Sequence, residues 1–216
     1  MTDDDAHVGA GPEPMRTIHP DDQDTRSTYF LMNSLVVPRP IAWVSSRAAD
    51  GTRNLAPHSY FTVASTDPAT IAFTTIGEKD TVRNVRATGD FVVHVAGADL
   101  VDHMNLTSAT APADVDEFEL AGLTPVAAER VGSSVVAEAP VAIECVLDRI
   151  VEVGNSFLVL GRVVAFHVAE RLWDDRGRVD PARLDAVARM GGSTYATTRD
   201  RFELARPIYE ELVGGS

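Results

Sequence analysis

Six or seven short runs rich in Val, Ile, Phe and Thr, joined mostly by turns, make this 216-residue sequence predict a mainly β fold, an antiparallel barrel or sandwich. Two further observations agree. Gly154-Asn155 separates two long β-type runs, and glycine at the first central position suits a two-residue type II′ hairpin. Within the first of those runs Val141, Ile143, Cys145 and Leu147 alternate with Ala142, Glu144, Val146 and Asp148, the pattern of a strand with one buried face.

Residues 1–24 have no hydrophobic period and carry seven acidic residues, so a mobile tail is expected ahead of a single domain at 25–216. From Leu31 the composition changes. SLVVPRPIAWVSSR (34–47) is β-rich, and Pro38 and Pro40 confine that strand to an edge or an irregular entry. ADGTRN (49–54) has turn composition and LAPHSYFTVAS (55–65) resumes an extended pattern, which predicts a hairpin. Asp67-Pro68 interrupts the chain before ATIAFTTI (69–76), the next strand. Residues 80–88 predict a short helix: Asp80-Thr81 offers an N-cap, Val82 and Val85 an apolar stripe, and Gly89 a C-cap. DFVVHVAG (90–97) reads as a strand, and a long connection over 99–139 starts helically at DLVDHMN. Residues 140–153 and 156–169 supply the last two strands. RFELARPIYEELV (201–213) is amphipathic enough to dock on the barrel or on a partner chain.

Charge narrows the function classes. Nineteen basic residues against 32 acidic ones leave a formal charge of −13. Such a surface repels phosphate backbones and anionic lipid, so neither nucleic acid nor a membrane surface is expected as a partner. A bound phosphate would need a local group of cations. No uninterrupted apolar run reaches the ~18 residues of a membrane span. The acidic opening reverses the order of a secretory signal, so a cytoplasmic location is the simplest expectation. Cys145 is the only cysteine, which excludes an intrachain disulfide and a cysteine-based metal site; its strand phase makes it an inert core thiol. The six histidines are scattered, none pairs with another at ligand spacing on one element, and no metal site is expected. Neither a glycine-rich nucleotide loop nor a Gly-x-Ser-x-Gly elbow is present.

Three stretches carry candidate chemistry. GEKDTVRN (77–84) contains Lys79, the single lysine among nineteen basic residues, just ahead of the expected helix. A helix N-terminus presents free N–H groups and partial positive charge, a seat for a phosphate, to which Lys79 adds a cation and Thr81 and Asn84 neutral donors. Alone, the stretch equally describes a surface helix with a solvated lysine. NLAPHSY (54–60) crowds Asn54, His58, Ser59 and Tyr60 around Pro57 at a strand start, where backbone groups can meet a flat heterocycle edge-on; a structural bulge explains it as well. In RMGGSTY (189–195) paired glycines permit close backbone approach and Tyr195 can stack or donate, although a plain turn accounts for Gly-Gly too.

In order, RPIAWVSS, DGTRNLAPHSYF, DPATIAFTT, KDTVRN, GDFVVHV, DEFELAGLTPV, EAPVAIECVL and RMGGSTYA resemble the flavin reductase-like family of FMN-binding split-barrel proteins, across residues 30–196. The resemblance implies a six-stranded antiparallel Greek-key split barrel, usually a homodimer with flavin at or near the subunit interface. It implies reduction of FMN or FAD by NADH or NADPH, through hydride transfer to flavin N5. Reduced flavin would then serve a partner monooxygenase or another electron acceptor. Carried over to this sequence, Asn54, Ala56, Pro57, His58, Ser59 and Tyr60 would line the isoalloxazine, mostly through backbone. Thr74 and Thr75 would lie near the ribityl chain or phosphate. Lys79, Thr81 and Asn84 would hold the phosphate end. Arg39, Pro40 and Trp43 would contribute to the pocket wall, and Tyr195 would approach the ring or the nicotinamide. His58 departs from the family pattern, which has a small or apolar residue there, and is either a proton donor or a loop residue. Two other readings stay open: an FMN-binding electron-transfer protein without a nicotinamide site, and a split barrel that serves as a ligand-binding or dimeric scaffold.

Overall fold

A curled sheet of seven strands dominates the computed structural model, which describes residues 13–209 and 212. The first twelve residues of the expected N-terminal tail lie outside the described residues. Residues 13–19 are exposed, a 3-10 turn spans Pro20–Asp22, and helix α1 (Thr25–Leu35) begins where the Asp24 carboxylate accepts a hydrogen bond from Ser27 N at 2.6 Å. The short β1 (Arg39–Pro40) leads into β2 (Ala42–Arg47), β3 (Arg53–His58), β4 (Tyr60–Thr66) and β5 (Ala69–Ile76). Helix α2 (Asp80–Thr88) connects to β6 (Asp90–Val95). The long connection holds α3 (Val101–Leu106), α4 (Glu117–Ala121) and a ribbon of β7 (Pro125–Val126) with β8 (Val135–Val136). The hairpin of β9 (Val141–Val153) and β10 (Ser156–Val168) completes the large sheet. After α5 (Pro181–Leu184), β11 (Val187–Arg189) and β12 (Tyr195–Thr197) join β1 in a small sheet of their own.

Strand order in the large sheet is β3-β2-β6-β9-β10-β5-β4, with every pair antiparallel. Its two edges, β3 and β4, are separated in the chain by Ser59 alone. Six strand spacings across a flat sheet would hold those edges about 29 Å apart, while three residues reach about 10 Å at most. The sheet therefore curls into a barrel. The strand expected over 55–65 is one run bent at Ser59 that serves both edges, and counting it once gives the six strands of a split barrel.

The barrel interior is filled from every wall by Val44, Ile71, Phe73, Phe91, Val93, Cys145 and Val159, and α2 adds Val82 and Val85. Gly161 on β10 makes this packing feasible, because a Cβ there would lie 2.2 Å from Phe91 Cζ. A second cluster lies on the other face of β2, where Trp43 and Leu55 pack with Met104 of α3 and Phe118 of α4. So β2 is buried on both faces, and the helices of the long connection cover it.

Local expectations hold where local chemistry decides. The β9–β10 hairpin turns on Gly154 at φ 58 with Asn155 outside the positive-φ region, as a type II′ turn requires. Three features differ. Helix α1 occupies residues where the sequence predicts no helix, and its last two overlap the β-rich run over 34–47. Its Tyr29, Phe30, Met32 and Leu35 are exposed and only Asn33 is buried, so no core-facing stripe writes a helical period. The first half of β9 buries both faces: Ala142 and Glu144 are as enclosed as Cys145, because residues 126–139 lie across the outer face. Glu144 anchors that strap by accepting from Glu129 N at 2.8 Å and Arg130 N at 2.6 Å. Lastly, residues 201–209 and 212 of the expected docking segment are exposed, and 210, 211 and 213 lie outside the described residues.

Candidate functional site

Strand alternation sorts the NLAPHSY stretch onto two faces. His58 turns into the barrel, its ring 5.0 Å from that of Phe73. Pro57 and Ser59 turn the other way and line a cavity of about 480 Å³. Tyr29, Phe30 and Asn33 of α1, Arg39 of β1 and Ile41 just after it, Lys79 ahead of α2, Ser108 after α3, and Arg189, Gly192, Ser193 and Tyr195 around the β11–β12 turn complete the wall. The paired glycines form that turn, with Gly192 at φ 61 and Met190 N donating to Thr194 O at 2.9 Å. The turn and the cavity wall are thus the same feature.

Three cations and, among the described residues, no carboxylate line this cavity. Among the described residues none of the three has a carboxylate partner at ion-pair distance. Lys79 is exposed and is the N-cap of α2, one residue earlier than the Asp80-Thr81 cap read from the sequence, and no side chain caps the helix. Its turn is braced from behind: Thr75 Oγ1 donates to Gly77 O at 2.8 Å and Gly77 N to Asn155 O at 2.9 Å. Arg189 lies over the Tyr195 ring at 4.5 Å and donates to Gly192 O at 2.6 Å. Arg39 is 6% exposed. Its Nη1 donates to Asn33 O at 2.6 Å and Val36 O at 2.8 Å, its Nη2 to Met190 O at 3.0 Å, and its buried Nε has no partner among the described residues. Carbonyl dipoles satisfy hydrogens without cancelling charge. A unit charge still acts with about 2.4 kcal/mol on another at ~7 Å and an effective dielectric constant near 20.

Behind the cavity lies a polar network with a single consistent proton assignment. Ser46 Oγ and Thr81 Oγ1 both donate to Asn54 Oδ1, each at 3.1 Å. Thr81 has then spent its only hydrogen, so His58 Nε2, 3.2 Å away, is the donor to it. Asn84 Nδ2 donates to Ser46 Oγ at 3.3 Å, and Asn54 Nδ2 and Leu55 N donate to the two oxygens of Glu117 at 3.2 Å. Every donor points toward Glu117. Burial pushes that carboxyl above its usual pKa range against the hydrogen bonds that hold it ionised, while burial and then the Lys79 charge push His58 down to about 3. His58 is therefore a neutral interior residue rather than an imidazolium proton donor.

Thr81 and Asn84 were expected as donors to a ligand; their polar groups are committed to this network instead, because the face of α2 that carries them packs on β2 and β3. Trp43 was expected in the pocket wall, but it is fully buried in the outer cluster with Nε1 donating to Thr107 Oγ1 at 2.9 Å. Ala56 pairs with Val44 in the sheet, and Thr74 with Tyr60. Pro40 and Tyr60 line a smaller apolar cavity of about 310 Å³ with Met32, Val36, Pro38 and Phe61, and this shares Arg39 and Ser59 with the larger one. Tyr195 Oη donates to Asn105 Oδ1 at 3.3 Å. Tyr29, Phe30, Asn33, Ser108 and Glu117 were not expected at the site. An Asp24 cap ahead of α1 and an Asp116 cap ahead of α4 were the available signals.

Other titratable groups have structural duties. His94 Nδ1 donates to Trp43 O at 3.0 Å and its Nε2 accepts from Val136 N at 3.0 Å; burial pushes it down to about 4. Burial pushes the Cys145 thiol up to about 12, which keeps it unreactive. Among the described residues no group of three or more His, Cys, Asp or Glu is placed to hold a metal, and no helix is long and apolar enough to cross a membrane. A second polar cavity, about 210 Å³ beyond Asn54, sets Asp50, Asp80 and Glu117 against Arg53 and Arg83, so it lacks the charge imbalance of the first.

Known proteins resemble this chain in sequence and overall fold. A family model described as "Flavin reductase like domain" matches residues 32–182. Nitrilotriacetate monooxygenase component B from Bacillus cereus is 36% identical with a TM-score of 0.87, covering 89% of this chain and 100% of that one. The 2-nitrobenzoate 2-nitroreductase NbaA of Pseudomonas fluorescens is 28% identical with a TM-score of 0.84, over 90% of this chain and 98% of its own. The uncharacterized protein YwrF of Bacillus subtilis (strain 168) is 35% identical over 198 residues, 87% of this chain and 97% of that protein.

Proposed function

This chain belongs to the flavin reductase-like family, and on that premise we propose that its cationic cavity binds FMN and that the protein reduces the flavin with NADH or NADPH. One observation supports the reading above the rest. In a chain of net charge −13, the cavity gathers three cations and, among the described residues, no carboxylate. A phosphomonoester carries about −1.5 to −2 charges at neutral pH and suits such a place. The other walls fit in kind: backbone at Pro57 and Ser59 for the edge of a flat ring, and aromatic faces at Phe30 and Tyr195.

Bound flavin would supply the hydride chemistry, at N5. The chain's own residues position and shield. Lys79 and the first turn of α2 take the phosphate end. The Ser59 bend presents a rigid edge, because the network behind it ties β2, β3, α2 and α4 together. His58 has its Nε2 hydrogen committed to Thr81 and lends rigidity rather than a proton. No side-chain acid or base is assigned, since hydride transfer between stacked rings requires alignment above all.

The proposal includes a homodimer. Met32, Leu35 and Val36 are 56%, 71% and 61% exposed along and just after α1, at the border of the cavity, and a second copy would cover that apolar face. Likeness to a protein named as a monooxygenase component supports delivery of reduced flavin to a separate oxygenase. The test is anaerobic oxidation of NADH and of NADPH with no flavin, with FMN and with FAD, alongside the molar mass in solution. FMN-dependent oxidation by a dimer is expected. Absence of flavin-dependent oxidation with either nucleotide overturns the reductase. Bound flavin that neither nucleotide bleaches would point to an electron-transfer protein, and no fluorescence quenching on FMN titration to a scaffold.

A further inference from the structure

We infer that Arg39 is a positioning residue whose buried, carboxylate-free charge makes the cavity favour the reduced, more negative state of its ligand over the oxidised state. The inference rests on the flavin reading above. Its basis is the difference among the three cations. Lys79 is exposed and Arg189 half-buried, so water screens both. Each arginine also lies over a tyrosine ring, Arg189 over Tyr195 and Arg39 over Tyr60, so exposure is what sets Arg39 apart. Arg39 is enclosed, with the apolar cavity of Met32, Pro38 and Phe61 on its flank, so little water screens its field. It cannot swing out to grip a ligand directly. Carbonyls at the end of α1 (Asn33, Val36) and in the β11–β12 turn (Met190) hold both terminal nitrogens, which also makes Arg39 the tie between two walls of the cavity. Its charge thus acts through space from a fixed point.

Hydride transfer forms an N–H bond on the flavin and breaks a C–H bond on the nicotinamide. It carries two electrons and one proton, so the flavin gains one negative charge while the nicotinamide loses one. An arginine brings a charge that does not titrate, and that charge stabilises the reduced flavin more than the oxidised flavin.

The experiment is the midpoint potential of flavin bound to the full-length protein, by equilibration with reference dyes, for wild type, Arg39→Lys and Arg39→Met. Oxidised-FMN affinity and the thermal midpoints of apo and flavin-bound forms are measured beside it. Arg39→Met is expected to weaken binding of reduced relative to oxidised flavin by tenfold or more, lowering the midpoint by ~30 mV or more for a two-electron couple. Arg39→Lys should recover part of that shift. A lower thermal midpoint with an unchanged potential in both variants would leave Arg39 as a tie only and overturn the inference. Wild type gives a second reading that needs no variant. Uptake of one proton per two electrons predicts a slope of ~30 mV per pH unit between about pH 6 and 8, and ~59 mV throughout overturns it. Failure of wild type to bind flavin would instead refute the underlying flavin reading.

Discussion

Two sets of polar side chains meet at the Ser59 bend, and they differ in how completely they are satisfied. On the barrel side, Asn54, His58, Thr81, Ser46, Asn84 and Glu117 bond to one another in a closed order of donors and acceptors. On the cavity side, among the described residues, Arg39, Lys79 and Arg189 have no carboxylate partners, and Arg39 keeps an unpartnered Nε. Asn54, His58, Thr81 and Asn84 of the first set, and Lys79 and Arg189 of the second, came from stretches that looked like ligand chemistry in the sequence. The difference teaches that polarity marks a site only when it is left unfinished: a satisfied network holds the fold, while unmatched charge calls for a ligand.

Acid should separate the two sets most strongly. His58 and His94 are held down to about 3 and about 4, against 6.5 for an ordinary histidine. Between about pH 4 and 6.5 the unfolded chain binds protons that the folded chain refuses, so stability rises with pH through that window and levels above it. At about 1.4 kcal/mol per pKa unit the two histidines amount to several kcal/mol. Glu117, shifted upward by burial, contributes with the opposite sign and blunts the rise. Urea unfolding at stepped pH checks this, and a flat profile from pH 4 to 6.5 would break the account of a neutral interior.

Removing the end of the network comes next. Glu117→Ala leaves Asn54 Nδ2 and Leu55 N without acceptors and should cost about 2–4 kcal/mol in denaturant unfolding, with Glu117→Gln milder. Lys79→Ala should act on the opposite quantity. It is expected to weaken FMN binding by about 10- to 100-fold while unfolding stability stays within ~0.5 kcal/mol. Riboflavin, which lacks the phosphate, should bind the variant as it binds wild type; equal losses for both ligands would show that Lys79 does not hold the phosphate. The smallest change is expected from Tyr195→Phe. Among the described residues the hydroxyl bonds only to Asn105, at the surface, so stability and FMN affinity should both stay within about 0.5 kcal/mol, and a larger binding loss would move that hydroxyl into the ligand's reach.

Much of this was legible where neighbours in the chain decide. Helix α2 runs over 80–88 with Gly89 at φ 76, and the β9–β10 turn falls on Gly154-Asn155, because caps and turns depend on a few consecutive residues. The order of motifs was enough for the family. Helix α1 was not legible, since its apolar residues face outward. Nor was the fate of Thr81 and Asn84: a polar residue on a short helix reads the same whether it meets a ligand or the next strand.

The sequence by itself determined the β architecture, the start of α2 and the solitary lysine before it, because period, turn chemistry and composition are properties of the chain. Only the tertiary structure decided which polar residues remain free. That depends on which groups the curled sheet brings within hydrogen-bond reach, and the bend at Ser59 sends Pro57 and Ser59 to the cavity but His58 to the core. Burial of Arg39 is likewise a product of closure, since its carbonyl partners at residues 33, 36 and 190 come from opposite ends of the chain.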